Sequence, residues 1–253
     1  MKVEYQVYNP GGNTTALITT LDLTDAQQIA AGKLIMQKEK SVEQVGFVEK
    51  IDKNVCTFEM AGGAFCGNSC RCVVSMMLKD YGQSDSGVLI NKMKIIGKAD
   101  HAISSVTIKE KSLVKKYGYN PKLEKFVVEM NGSVVIVDEK FYDTSNYKET
   151  KERVKELFPK TPAILIAYFN RVENKIQTFF WIKEADTFVE ETGSVSGSIA
   201  ACLFLRQSGE LKKKNFSAAI KQPSGEEYFI SIEDGYIIVS GLTKYISAGS
   251  VEI

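Results

Sequence analysis

Two stretches of small residues, Phe65-Cys66-Gly67-Asn68-Ser69 and Gly193-Ser194-Val195-Ser196-Gly197-Ser198, each run straight into an apolar segment with helical character. The first feeds Val73 to Leu78 and the second feeds Ile199 to Arg206. Each follows β-rich segments, so the second half of the chain repeats the first as strands, a small-residue turn and a helix opening on a nucleophile-sized side chain. A helix start gathers unsatisfied N–H groups and the positive end of the dipole. It therefore favours a thiolate or a bound carboxylate.

In chain order, residues 3–8 and 15–20 read as strands joined by Asn9-Pro10-Gly11-Gly12-Asn13, a turn composition. Thr24 with Gln27 forms a capping-box pattern, and Ile29, Ala30, Leu34 and Ile35 recur at helical spacing, which predicts a helix over 25–38. Residues 41–50 are extended and carry Glu43-Gln44, and 55–60 is the strand leading to Cys66. Residues 87–97 and 102–109 alternate as half-buried strands do. The charged run Lys109 to Leu123, with Gly118 and Pro121, reads as the boundary between lobes 1–115 and 116–243. Strands at 126–130, 134–138, 163–169 and 177–182 and an amphipathic helix at 146–158 precede Glu190-Glu191-Thr192 and the second turn. Residues 216–253 are strand-rich, with turns at Pro223-Ser224-Gly225 and Asp234-Gly235.

At 253 residues and 44% hydrophobic, the chain exceeds the about 100–150 residues of one ordinary domain, so two lobes are expected. Its 32 basic and 31 acidic residues leave a net charge of +1, which steers it toward neither nucleic acid nor an anionic membrane. A small-molecule partner is the expectation. The N-terminus lacks the apolar core of a secretory signal, and no window approaches the roughly 18 apolar residues of a spanning helix. Five cysteines, three of them within seven residues, fit free thiols in a reducing compartment better than a disulfide framework, so a cytoplasmic protein is expected.

Two helix starts on opposite walls of a cleft could hold a carboxylate and present one group to each face of the neighbouring carbon, which suits inversion of a stereocentre. Cys66 is the leading candidate, although by spacing alone a buried cysteine is more often an inert small hydrophobe. Cys66, Cys70 and Cys72 lack the paired spacing of zinc ligands and His101 is remote, so neither metal nor cofactor is expected. Glu190 and Glu191 could be helix-cap residues with no ligand role, and Asn13, Gln44 and Asn68 could be turn-forming.

The run Phe65-Cys66-Gly67-Asn68-Ser69-Cys70-Arg71-Cys72, the Gly-rich turn ending in Asn13, Gln44, Pro223-Ser224-Gly225, and the glycines 241 and 249 resemble the diaminopimelate epimerase-like family of cofactor-independent amino-acid racemases. The likeness spans essentially the whole chain. It is nearest to the histidine racemases through Tyr8-Asn9-Pro10-Gly11-Gly12-Asn13-Thr14 and Ser41-Val42-Glu43-Gln44-Val45-Gly46-Phe47. The resemblance implies an α+β fold of two pseudo-symmetric lobes, each a mixed sheet wrapped around a central helix. It also implies a return of strand 244–253 to the first lobe, a homodimer, and proton transfer by Cys66 with Ser194 at the position of the family's second cysteine. The expected substrate contacts are Asn13, Gln44, Gly67, Asn68, Glu190, Val195 and Ser196, with Glu43 as a selector for a basic side chain.

Two departures qualify this. The family's Glu-Arg pair is replaced here by Ala185 and Asp186, which argues against a diaminopimelate-like distal group. Ser194 leaves three readings open: a Cys→Ser replacement that traps substrate, an unequal Cys and Ser pair, or one-sided or absent catalysis. Alternatives to histidine racemisation are a diaminopimelate or lanthionine epimerase, a one-base isomerase using Glu190 or Glu191, and a catalytically silent amino-acid-binding protein.

Overall fold

The computed structural model describes residues 1–61, 63–141, 145–183, 186–209 and 215–253, so Gly62 and Ala185 lie outside the described residues. In order, the elements are β1 (Lys2–Asn9), β2 (Thr15–Ile18), α1 (Asp25–Lys38), β3 (Gln44–Asp52), β4 (Val55–Met60), α2 (Gly67–Tyr81), β5 (Asp85–Ile90), β6 (Met93–Asp100) and β7 (Ile103–Lys109). There follow α3 (Glu110–Leu113), β8 (Val114–Asn120), β9 (Lys125–Met130), β10 (Ser133–Asp138), α4 (Tyr147–Leu157), β11 (Ala163–Asn170), β12 (Lys175–Ile182), β13 (Thr187–Glu191), α5 (Val195–Gln207), β14 (Phe216–Lys221), β15 (Glu227–Glu233), β16 (Tyr236–Leu242) and β17 (Lys244–Glu252). Two compact units result, one of Met1–Thr107 with Ser240–Ile253 and one of Ile108–Val239.

Within each unit the same connectivity recurs. In the first, β17 pairs with β1 and β1 with β2, all antiparallel; α1 then crosses to a parallel β3, and after the β3–β4 hairpin α2 crosses to a parallel β5. In the second, β8, β9 and β10 are antiparallel, α4 crosses to a parallel β11, and after the β11–β12 hairpin α5 crosses to a parallel contact of β14 on β12. Parallel neighbours require such crossover helices, because a hairpin can join only antiparallel strands. The fold is therefore α+β, with two pseudo-symmetric units of mixed sheet and helix.

The capping box that opens α1 is formed in full, with Thr24 N donating to Gln27 Oε1 at 2.9 Å and Gln27 N to Thr24 Oγ1 at 3.4 Å. This helix covers a cluster that includes Tyr5, Val7, Ile18, Ile35 and Phe47, and α4 covers one that includes Ile136, Val154, Ile166 and Phe179. The helices α2 and α5 are central. Every residue of α2 from Gly67 to Met77 is buried, as are nearly all of α5 from Val195 to Leu205, so both helices lie within a core rather than on its surface. At Gly97 on β6 an added Cβ would lie 2.1 Å from Val74 Cγ2 of α2. We expect Gly97→Ala to cost about 1–3 kcal/mol through overpacking, read as a lowered denaturant midpoint at unchanged m-value.

Three stretches add to or differ from the sequence reading. The single strand expected over 87–97 is the β5–β6 hairpin, turning at Asn91 and Lys92 with φ of 50° and 63°. Positive φ at both turn centres favours this hairpin, but Asn-Lys lacks the glycine that usually marks it. The run 109–123, read as the boundary between lobes with no element assigned, carries α3 and β8, with β8 laddered to β9. Finally, Glu190 and Glu191 sit in β13 opposite Phe179 and Thr178, so neither caps α5, which begins at Val195.

Candidate functional site

In the first unit the candidate site is built on the turn from Asn9 to Asn13. Gly11, Gly12 and Asn13 all have positive φ (87°, 114° and 60°), a path that only glycine and, less readily, asparagine follow without strain. Asn9 Oδ1 closes the turn by accepting from Gly11 N at 2.9 Å and Gly12 N at 2.8 Å. From α2 the fully buried Arg71 reaches over and donates from Nη1 to Pro10 O at 3.0 Å. The same guanidinium donates to Ser104 O at 3.4 Å and from Nη2 to Leu242 O at 2.6 Å. The arginine of the Cys-Gly-Asn motif thus ties three distant segments around the start of α2.

Cys66 is the N-cap of α2, with φ of −132° and ψ of 108°, and its Sγ accepts from Ser69 N at 3.4 Å. Gln44, the first residue of β3, brings Oε1 to 3.3 Å from the same sulfur. Its Nε2 donates to Thr15 Oγ1 at 2.7 Å, Ser69 Oγ at 3.1 Å and Asn13 O at 3.3 Å. A backbone carbonyl only accepts, so Asn13 O fixes the amide orientation and leaves Oε1 facing the sulfur. Oε1 carries no proton. Cys66 is therefore held as a thiol donor toward Gln44 while its sulfur accepts from the helix start.

Glu43 is half buried, and its Oε1 accepts from Thr14 N at 3.1 Å, beside Asn13. Gly67 and the buried Asn68 form the first turn of α2. Asn13, Glu43, Gln44, Cys66, Gly67 and Asn68 thus share one neighbourhood.

The other cysteines are different in kind. Burial pushes the Cys56 thiol up to about 12. Burial likewise takes Cys72 to about 12 against partial relief from Thr15 and Arg71, and it raises Cys70 and Cys202 well above the ordinary thiol value. All five thiols are free. Since the thiolate is the nucleophile, and these raised values keep four thiols neutral through pH 8, iodoacetamide should label one cysteine, Cys66, in the native protein and five after denaturation. Intact mass before and after guanidinium checks this. Among the described residues no cluster of three His, Cys, Asp or Glu side chains could hold a metal.

The second unit repeats the cap with a different atom. Ser194 is the N-cap of α5, with φ of −138° and ψ of 110°, and its Oγ accepts from Gly197 N at 3.2 Å. Those angles match the Cys66 cap within 6° in φ (138 − 132) and 2° in ψ (110 − 108). Val195 is buried and Ser196 partly so at the first turn of α5. Glu190 is exposed and accepts from Gln177 Nε2 at 2.8 Å, whereas its neighbour Glu191 is half buried with Oε2 out of solvent contact. Asp186 accepts from Trp181 Nε1 at 2.8 Å, and this bond holds its carboxyl below the usual range. His101 is an exposed turn residue between β6 and β7.

Sequence reasoning missed Thr15 and Ser69, which orient Gln44, and Gln222 with Ser198, which bind the backbone of Ser194. The only signal for Gln222 was its place directly before the Pro223-Ser224-Gly225 turn.

A family model described as the histidine racemase CntK N-terminal domain matches residues 2–236. The chain belongs to this family. A curated histidine racemase of Fusobacterium nucleatum is 26% identical over 270 aligned positions, covering 97% of this chain and 95% of the relative. Among solved structures, a predicted epimerase from Pseudomonas aeruginosa superposes with a TM-score of 0.68 at 13% identity, over 99% of both chains. A hydroxyproline epimerase from Agrobacterium vitis, with trans-4-hydroxy-L-proline bound, gives a TM-score of 0.64 at 9% identity over 99% of this chain and 92% of the other. At such identities the structural likenesses speak for the fold, which is the diaminopimelate epimerase-like one, and the family match speaks for the chain as a whole. The capped thiol and its glutamine are therefore features of a histidine racemase family member, arranged on the fold that epimerases use.

Proposed function

We propose that the chain inverts the α-carbon of histidine by proton transfer between its own side chains, without a cofactor. The observation that carries this reading is Cys66 at the start of α2, hydrogen-bonded to Gln44 in a member of the histidine racemase family. As thiolate, Cys66 would take the α-proton and become a thiol while Ser194 gives its proton to the other face; the Ser194 alkoxide then regains a proton from water, and the Cys66 thiol gives its proton to the hydroxide so formed. The N–H groups of Gly67 and Asn68, and of Val195 and Ser196, would receive the substrate carboxylate. Incubating L-histidine with the protein in deuterium oxide should give α-deuterated D-histidine on chiral chromatography. Deuterium confined to the L-form would reject racemisation and leave Cys66 as a one-sided base.

Glu43 is the proposed selector for the imidazole, supported by its position beside Asn13 and its hold on Thr14 N. Glu43→Gln should raise KM for histidine about tenfold relative to an uncharged amino acid of similar size, the scale of a charge-assisted hydrogen bond. An unchanged ratio of kcat/KM across an amino-acid panel would remove Glu43 from this role. The reading extends to a homodimer working in the cytoplasm; the five free thiols support a reducing compartment, and light scattering tests the dimer.

A further inference from the structure

We infer that Gln222 is a positioning residue for Ser194, holding the backbone of the second cap as Gln44 holds the side chain of the first. Gln222 is 1% exposed and lies just after β14, far in sequence from the residue it binds. Its Oε1 accepts from Ser194 N at 2.9 Å, while Nε2 donates to Ile220 O at 2.8 Å and to Ser198 Oγ at 3.0 Å. Ile220 O cannot donate, so the amide orientation is settled by the same logic as at Gln44. Ser198 Oγ in turn donates to Ser194 O at 2.7 Å. One buried amide thus grips Ser194 on both sides, at its N–H directly and at its carbonyl through the buried Ser198.

The consequence is directional. With the backbone clamped, the Ser194 Oγ is placed to accept from Gly197 N at 3.2 Å. That bond occupies a lone pair and leaves the hydroxyl its proton to give. At Cys66 the polarity is different, because Gln44 Oε1 meets the sulfur itself. The two glutamines also occupy different places in the repeat, one opening a strand before the central helix and one closing a strand after it. Aligning the halves would not reveal the pair.

This inference rests on the reading that Ser194 serves one face of the substrate, and two measurements separate it from that reading. The first compares the wild-type protein with Gln222→Leu, which removes the clamp, and Ser198→Ala, which cuts only the arm to the carbonyl. Gln222→Leu should lower kcat for inversion of histidine at least about tenfold, the cost of a small misplacement of a reacting group, with KM changed less than about twofold. Deuterium uptake into retained substrate and alkylation of Cys66 should stay at the wild-type rate. Ser198→Ala should shift in the same direction by less, and it decides the matter if Gln222→Leu fails to fold by circular dichroism. Inversion at the wild-type rate, or equal loss of inversion and retained exchange in a folded variant, would overturn the inference.

The second measurement needs no racemase activity. In a Ser194→Cys protein the introduced thiol should be alkylated at a rate that Gln222→Leu alters at least about fivefold while Cys66 is unchanged, since thiolate character follows local geometry. Should the wild-type protein invert nothing, the functional reading falls and this alkylation pair still decides whether Gln222 positions residue 194.

Discussion

Cys66→Ala is expected to abolish α-proton exchange with solvent on histidine, a fall of about 10²–10⁴-fold, the usual contribution of a positioned general acid or base. Two contacts converge on the Cys66 sulfur. Ser69 N at 3.4 Å supplies a helix-start donor that steadies a thiolate, and Gln44 Oε1 at 3.3 Å accepts the proton of the thiol. The sulfur can therefore rest in either protonation state without losing both partners, as a group that takes and returns a proton must. The fold should survive, because the helix loses only a cap bond worth about 0.5–2 kcal/mol. Circular dichroism and a thermal scan establish that, and isotope exchange followed by proton resonance reads the chemistry. Exchange persisting at the wild-type rate in the alanine variant would exclude Cys66 as the group that handles the α-proton.

Ser194→Cys is expected to accelerate racemisation by about 10-fold or more, and Ser194→Ala to stop inversion while retained exchange continues. A serine hydroxyl donates readily but is a poor base near neutrality, whereas a thiol can be tuned to do both. The cap can accept sulfur, since the Cys66 cap has nearly the same backbone angles and bonds its N–H at 3.4 Å, against 3.2 Å at Ser194. Because the two enantiomers have equal free energy, kcat/KM must be equal in the two directions whatever residue stands at 194. Serine therefore slows both directions alike. Its weakness as a base shows only in exchange, where the enantiomer whose α-proton meets Cys66 should take up deuterium with retention faster than it inverts. Equal retained exchange from D- and L-histidine in the wild-type protein would contradict the unequal pair, and an unaltered rate in Ser194→Cys would show that residue 194 does not limit the reaction.

Alkali offers an independent check on the buried thiols. Cys56 and Cys72 ionise near 9.0 as free groups and near 12 in the fold. Between those values the unfolded chain binds fewer protons than the folded one, so stability present below pH 9 is lost as pH rises toward 12. Urea midpoints should be flat in this contribution below pH 9 and fall above it, and Cys56→Ala should lessen the fall.

Much of the scaffold was legible because its signals are local. The Thr24 and Gln27 capping box, the apolar run after Cys66 and the glycines before Asn13 each express a hydrogen bond, a period or a φ value contained within a few residues. Local signals also misled. Asn91-Lys92 turns a hairpin without glycine, and the charged lysines of β8 hide a strand whose order comes from its ladder to β9.

The sequence by itself determined the two helix starts at Cys66 and Ser194 and the crossover helices, since each is written in contiguous residues. The tertiary structure alone decided which way Gln44 presents its amide, that Arg71 locks the Asn9–Asn13 turn, that Glu190 is exposed while Glu191 is half buried, and that Gln222 grips Ser194. These contacts join groups such as Gln44 with Asn13, 31 residues apart, and Arg71 with Leu242, 171 apart. Hydrogen bonds over such separations leave no periodicity in the chain, and only folding brings their donors and acceptors within reach.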